Sequence, residues 1–296
     1  MEINVLGPLR ALEHGVSIVP SAAKPRQLLA LLALRADRVV TVSTLMEEIW
    51  GESIPRSAST TLQTYILQLR RKISTALGAQ SGLQAKDVLA TQHGGYLLHT
   101  QQGLIDCQEF DRLAEAGRRA MEADDAHRAC DLFQQALALW QGPALVDVRV
   151  GRSLELEVLR IEETRMATLE RWVESGLRLG RHGELIPELQ VLAAEHPLHE
   201  NFSAQLMVAL YRSGNRCRAL EAYQRLRGSL TEELGLEPSL KLQRLQQAIL
   251  TGAPLEEQSP LLLEAYDAGT LPAPGPCAVA PARPTGVPAG GRRSHA

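Results

Sequence analysis

The sequence predicts an α+β N-terminal domain followed by an all-α domain of helical repeats, on three observations. Residues 1–102 contain short alternating segments typical of strands beside three amphipathic helices. In residues 103–252 nearly every apolar position recurs with a helical period. Gly180 and Gly214 lie 34 residues apart, and each separates two predicted helices. Residues 253–296 are rich in Pro, Gly and Ala without apolar periodicity, which predicts a disordered tail.

Charge is divided unevenly along the 296 residues. Residues 1–102 hold ten Lys or Arg against seven Asp or Glu, and residues 103–253 hold eighteen against twenty-three. A basic front on an acidic body suggests that the front meets a polyanion. The sequence has no run of eighteen apolar residues and no basic segment ahead of an apolar N-terminal core. We therefore expect no membrane partner and a cytoplasmic protein.

Patterns of catalysis and metal binding are missing from the sequence. There is no H-E-x-x-H, no G-x-S-x-G and no dinucleotide fingerprint, so we expect no enzymatic activity and no cofactor. His196 and His199, even with His182, lack an evident carboxylate or thiol to complete a metal site, so no metal is expected. Four widely scattered cysteines suggest reduced, buried thiols: Cys107, Cys130, Cys217 and Cys277.

The first domain begins with short strands. Residues 1–20 alternate in polarity, with turn signals at residues 7–8 and 14–15. A helix follows at residues 24–37, where Pro25 suits the first helical turn. These segments predict a small β-ribbon packed beside a helix.

A brief strand at residues 38–42 then leads into a short helix at residues 43–51. Thr44 and Glu47 have the spacing of a capping box at the start of this helix, and Gly51 is a suitable stop. The sequence thus predicts a second helix close to the first.

A long helix begins near residue 60 and runs to about residue 78, and residues 88–100 read as two strands around a turn at residues 93–95. A helix pair followed by a terminal hairpin is the order of a winged helix-turn-helix. In that motif the second helix of the pair enters a groove of DNA. The sequence therefore predicts that the helix from residue 60 is the recognition helix and that the hairpin is the wing.

The predicted recognition helix contains the stretch TTLQTYILQLRRKI (residues 60–73), and its two sides differ in chemistry. One side is an apolar stripe of Leu62, Ile66, Leu69 and Ile73. The other side has no acid and consists of Thr60, Thr64, Leu67, Gln68 and Arg71. Bases are read by Arg, Gln and Thr and by apolar contact with thymine methyl groups, so this side suits a DNA groove.

Other candidate contacts surround the recognition helix. Basic residues open the earlier helix, precede the recognition helix and close it, and polar residues lie at the tip of the wing. The predicted DNA-binding residues are Lys24, Arg26, Arg56, Thr60, Thr61, Thr64, Leu67, Gln68, Arg70, Arg71, Lys72, Gln92 and His93. For the run at residues 70–72 alone, a solvated helix end is an equally good interpretation.

The helical domain shows a repeat of the tetratricopeptide type. A period of 34 residues, with a small residue and then an aromatic residue four positions later in the second helix, is typical of that repeat. The corresponding positions are Ala129 with Phe133, Leu185 with Leu189, and Ala219 with Tyr223, and the second pair keeps only the spacing. The motif is incomplete in each copy, so a generic helical bundle is the alternative.

Two sets of segments resemble one known family. KPRQLLALLAL, LMEEIWG, TTLQTYILQLRRKI and GGYLL resemble the DNA-binding domain of the SARP-type antibiotic regulatory proteins of actinomycetes, which is related to the OmpR-like winged helix of response regulators. LALWQGPALVDV and the segment at residues 196–239 resemble the bacterial transcriptional activator domain that follows it in the family. The resemblance covers roughly residues 1–250 in the same order.

The resemblance implies a pathway-specific activator of antibiotic biosynthesis genes. Members bind tandem direct repeats in promoter DNA, associate side by side on it and recruit RNA polymerase. By analogy with OmpR-type domains, the loop before the recognition helix is expected to contact polymerase through Glu52, Ser53 and Ile54. Related regulators often carry Arg where this chain has Thr60, Leu67 and Gln92, which implies weaker phosphate contacts here. The alternative function is a helical-repeat scaffold for proteins, with the N-terminal domain as a docking module.

Overall fold

The computed structural model describes residues 1–78, 82–100 and 103–252. The predicted disordered tail, with Cys277, lies outside the described residues. The strands within the described residues are Glu2–Asn4 (β1), Arg10–Glu13 (β2), Val16–Ser17 (β3), Val40–Thr41 (β4), Leu89–Gln92 (β5), Gly95–Leu98 (β6) and Leu104–Ile105 (β7). The helices of the N-terminal part are Ala23–Leu34 (α1), Val42–Trp50 (α2), Ala58–Leu77 (α3) and Ala85–Val88 (α4). Those that follow are Asp106–Glu122 (α5), Ala126–Leu137 (α6), Arg152–Arg178 (α7), His182–Glu195 (α8), Glu200–Arg212 (α9), Arg216–Leu234 (α10) and Leu240–Thr251 (α11).

Two small sheets flank the helices of the N-terminal part. The first has the strand order β3-β2-β1-β7, in which β1 pairs antiparallel with β2 and parallel with β7. The second has the order β4-β6-β5, and β5 with β6 forms the predicted wing, closed by a turn at His93 and Gly94. The structure confirms the α+β part and the order of elements predicted from the sequence.

Helix α2 begins at a different cap from the predicted one. Thr41 is the N-cap, and its Oγ1 accepts a hydrogen bond from the backbone N–H of Thr44 at 3.2 Å. The predicted box of Thr44 with Glu47 is therefore wrong, because the N-cap lies three residues before Thr44. The predicted stop at Gly51 is confirmed: its φ of 60° is a left-handed conformation that glycine adopts readily.

The apolar side of α3 forms the centre of the winged helix. Leu62, Ile66, Leu69 and Ile73 are each no more than 2% exposed, and α3 contacts α1, α2, α4, β2 and β3. Trp50 at the end of α2 stacks on Tyr65, with the ring centroids 6.3 Å apart, and so fixes the two helices together. Burying one side of α3 in this way determines which side is left for solvent.

The all-α part is built from antiparallel helix pairs, as the repeat predicted. The pairs α5 with α6, α7 with α8, and α9 with α10 are each joined by a residue of positive φ: Asp124, Gly180 and Gly214. Phe133 packs so closely on Gly117 that a Cβ added there would lie 2.5 Å from the Phe133 ring. Gly117 on α5 and the Phe133 ring on α6 thus set the spacing of the first helix pair.

The cysteines are only partly where the sequence suggested. Cys107 and Cys130 are buried, as predicted, but Cys217 on α10 is exposed, so that prediction is wrong for Cys217. Burial, aided by the nearby charge of Asp106, raises the pKa of Cys107 to about 12. The Cys107 thiol therefore stays protonated at neutral pH.

None of the described helices is long and apolar enough to cross a membrane.

The winged helix and the helical repeats share one buried interface. Glu48 of α2 is 3% exposed, and its carboxylate accepts hydrogen bonds from the N–H groups of Gly151, Ser153 and Leu154 at 2.6, 2.8 and 3.1 Å. These are the groups at the N-terminus of α7 that lack a partner within the helix. The side-chain amide of Gln27 also donates to Glu48 Oε1 at 2.8 Å. A carboxylate of one part thus caps the longest helix of the other.

Two more carboxylates join the two parts. Asp106 accepts from the backbone N–H groups of Val5 and Leu6 at 2.9 and 3.0 Å. Burial raises the pKa of Asp106 above its ordinary value, and these N–H donors act in the opposite direction. Asp147 accepts from the N–H of Leu9 at 2.7 Å. The described residues up to 252 accordingly belong to one compact unit.

We predict that Glu48→Ala lowers the free energy of unfolding by about 2–4 kcal/mol, because it leaves several N–H donors without an acceptor. Glu48→Gln should cost less, since one acceptor oxygen remains. Chemical denaturation measures both. The control is Glu47→Ala, whose carboxylate pairs with Arg152 at 3.9 Å on the surface and should cost less than about 0.5 kcal/mol. Equal losses for Glu48→Ala and Glu47→Ala would contradict the capping role.

Candidate nucleic-acid interface

The chain segment that contains α3 is free of acidic residues. From Ser53 to Lys86 the chain contains no Asp or Glu and carries five basic residues: Arg56, Arg70, Arg71, Lys72 and Lys86. Arg56, Arg71 and Lys72 are exposed and form no ion pair within the part of the chain that the structure describes. By contrast, many arginines of the helical repeats are paired, such as Arg118 with Glu115. This concentration of unpaired positive charge favours a polyanionic partner.

The predicted base-reading side of α3 faces solvent, and we call it the outer face: Thr60, Thr64, Leu67, Gln68 and Arg71. All five are exposed, and Leu67 retains 49% of its surface. The predicted contact Thr61 is half-buried at the edge of this face. Gln63, which was not predicted, is also exposed one turn before Leu67. Its position on the helical wheel at the margin of the apolar stripe hid it from the sequence analysis.

The threonine hydroxyls of α3 are committed to its own backbone. Thr61 Oγ1 donates to the carbonyl of Ser57, and Thr64 Oγ1 donates to the carbonyl of Thr60, each at 3.0 Å. A hydroxyl that donates in this way can still accept a hydrogen bond. These two side chains therefore present an acceptor oxygen and a methyl group to a partner.

Arg70 has a different position from its neighbour Arg71. Its Nε and Nη2 donate to the carbonyl of Leu89 at 3.0 and 2.8 Å, and its Nη2 also donates to Thr91 Oγ1 at 2.8 Å. Both acceptors belong to strand β5 of the wing. The predicted DNA contact Arg70 thus ties the wing to the recognition helix, whereas Arg71 is exposed on the outer face. At the tip of the wing, Gln92 and His93 are exposed, as a groove contact requires.

Lys24 and Arg26, predicted near the DNA backbone, have partners inside the protein. The Lys24 Nζ lies 5.2 Å from the centre of the Trp50 ring. Arg26 Nη1 lies 3.1 Å from Asp147 Oδ2, and Arg26 Nε donates to the carbonyl of Pro20 at 3.2 Å. The ion pair of Arg26 is not visible in the local sequence, because Asp147 is 121 residues away.

The loop before α3 is accessible over its whole length. Glu52, Ser53 and Ile54 are exposed, and Ile54 retains 49% of its surface. Glu52 and Ile54 line an open cavity of about 1000 Å³, which residues 149–152 at the start of α7 also line. The sequence analysis missed that segment, because nothing in its local pattern places it beside the loop.

Comparison with known proteins identifies the family. Residues 18–98 match the family described as transcriptional regulatory protein, C terminal, and residues 105–250 match the bacterial transcriptional activator domain. The regulatory protein DnrI of Streptomyces peucetius is 54% identical over 86% of this chain and 93% of its own length. The chain belongs to the SARP family of transcriptional regulators.

Other SARP-family relatives differ in length. The regulatory protein AfsR of Streptomyces coelicolor is 36% identical over 94% of this chain, but the match spans only 27% of AfsR. The structure of Mycobacterium tuberculosis EmbR in complex with a low affinity phosphopeptide superposes with a TM-score of 0.80 at 30% identity. The match covers 90% of this chain and 69% of the EmbR chain. The two family matches agree with the predicted order of an OmpR-type winged helix before a helical domain, and the exact boundary at residue 102 stays a prediction.

The different positions of the adjacent arginines generate a prediction. Arg70→Ala should speed amide hydrogen exchange in the wing, residues 89–98, by about tenfold, since it removes hydrogen bonds that hold β5 to α3. Exchange followed by mass spectrometry in the absence of DNA measures this. Arg71→Ala is the matched control and should leave the wing unchanged, because Arg71 is exposed on the outer face. Equal exchange in both variants would show that Arg70 does not position the wing.

Proposed function

We propose that this SARP-family regulator is a sequence-specific DNA-binding activator that inserts the outer face of α3 into the major groove. The observation that carries the proposal is an exposed helix face without acids. It lies inside a 34-residue stretch whose charged residues are all basic. Phosphates repel carboxylates, and the polar side chains on the face match the donors and acceptors of base edges. The wing, fixed by Arg70, is in position to contact the adjacent backbone through Gln92 and His93.

The partner of the loop at residues 51–57 is proposed to be RNA polymerase. Support comes from the exposure of Glu52, Ser53 and Ile54 and from the cavity that Glu52 and Ile54 border with residues 149–152. A polymerase surface that fills this cavity would contact the winged helix and the helical repeats together. We place the protein in the cytoplasm, where promoter DNA and polymerase are found.

The scaffold alternative has a structural difficulty. It requires the helical repeats to work after residues 1–100 are deleted. Phe110 of α5 and Leu154 and Ile161 of α7 belong to the same buried apolar cluster as Leu28 and Leu32 of α1. Deleting the winged helix would therefore expose part of the core of the repeats, so the N-terminal part is more than a docking module.

The direct test uses a duplex selected by the protein from a random-sequence pool. Fluorescence anisotropy should show tighter binding to this duplex than to a scrambled duplex of the same length. The affinity should fall steeply with salt, because phosphate contacts release counterions. Equal affinity for the two duplexes at every salt concentration would refute sequence-specific binding.

Substitutions on the outer face should weaken binding without unfolding the protein. We expect Gln68→Ala and Arg71→Ala each to cost about 1–3 kcal/mol of binding free energy on the selected duplex. Arg218→Ala, which removes an exposed arginine from the helical repeats, is the control for a general loss of charge. If the Arg71→Ala and Arg218→Ala variants bound the selected duplex with equal affinity, Arg71 would not belong to the interface.

Side-by-side association on tandem direct repeats is also proposed. Two copies of the selected site, placed one helical turn or about 10–11 bp apart, should bind cooperatively because the protomers then lie on the same side of the duplex. Inserting about half a turn between them should abolish the cooperativity. Titration of both duplexes by gel mobility measures the effect, and the same two-site binding curve at either spacing would contradict association between protomers.

A further inference from the structure

Leu67 is an apolar side chain in the middle of a polar surface. It retains 49% of its surface, and the exposed residues around it are Gln63, Thr64, Gln68 and Arg71. The apolar stripe of α3 that supports the fold lies on the other side of the helix, so Leu67 contributes little to the core. A half-exposed leucine alone has no functional meaning. Its position on the proposed base-reading face is what requires an explanation.

Thr64 adds to the apolar character of this position. It lies three residues before Leu67, so the two side chains are neighbours on the helix surface. The Thr64 hydroxyl donates its hydrogen to the carbonyl of Thr60 at 3.0 Å, which leaves a methyl group and an acceptor oxygen. Leu67 and Thr64 together form a small apolar patch bordered by Gln68 and Arg71.

The major groove offers one apolar group to such a patch, the C5-methyl group of thymine. We propose that Leu67, flanked by Thr64, selects thymine by packing against this methyl group. The inference rests on the proposed insertion of α3 into the major groove. It names the base feature that the apolar part of the outer face reads.

The same patch also selects against the other pyrimidine. Cytosine presents an amino donor in the major groove. Where Leu67 and not the Thr64 oxygen lies over this donor, water is excluded and no acceptor is supplied. An unsatisfied polar group of this kind is costly. Thymine is therefore favoured by the contact that it makes and by the penalty that cytosine incurs.

The test replaces each thymine of the selected duplex, one at a time, with deoxyuridine, which lacks only the methyl group. At one or two positions the wild-type protein should bind about 3–5-fold more weakly, as expected for loss of one buried methyl group. Leu67→Ala should bind the thymine duplex more weakly, and it should no longer distinguish thymine from uracil at those positions. Leu67→Met, which keeps an apolar side chain of similar size, should retain the distinction.

Leu159→Ala is the matched control. Leu159 lies on α7 and is 56% exposed, so its loss removes a comparable apolar surface outside the proposed interface. This variant should show the wild-type response to uracil. If Leu67→Ala kept that response, or if no single uracil weakened the wild type, the thymine contact would be overturned while sequence-specific binding stood. Binding of wild type to the selected duplex no tighter than to scrambled DNA would instead overturn the proposed function, and the inference with it.

Discussion

The buried carboxylate of Glu48 fixes the relation between the two halves of the molecule. Three N–H groups at the start of α7 converge on it, and Gly151 approaches so closely that an added Cβ would lie 2.3 Å from the Glu48 carbonyl oxygen. Negative charge at a helix N-terminus is favourable, and here the donors also offset the cost of burying it. Because α2 carries Glu48 and packs on α3, the orientation of α7 is coupled to that of α3.

This coupling leaves the outer face of α3 open. The helical repeats dock on α2, on α1 and on the first sheet, away from Thr64, Leu67 and Gln68, which stay exposed. Arg70 holds the wing beside the same helix. The two exposed features, helix face and wing tip, are therefore presented together by a rigid support. Such preorganisation reduces the conformational entropy lost on binding.

Local patterns predicted the parts of the fold that depend on local chemistry. The apolar stripe of Leu62 to Ile73 and the Gly94 turn were both visible, since helical period and turn residues act over a few positions. The contacts of Glu48 with Gly151 and of Arg26 with Asp147 were not, because each joins residues more than a hundred positions apart. Arg70 shows the same limit at the site. Its place in a basic run suggests a phosphate contact, but strand β5 begins at Leu89, whose carbonyl accepts from the Arg70 guanidinium.

A structure of the chain bound to its selected duplex would test the central claim most directly. We expect α3 to lie in the major groove, with Gln68 and Arg71 against base edges or phosphates. We also expect that Glu48 still accepts hydrogen bonds from residues 151–154, so that the winged helix and the repeats bind as one body. A complex in which another surface meets the DNA and the outer face of α3 remains in solvent would contradict the account.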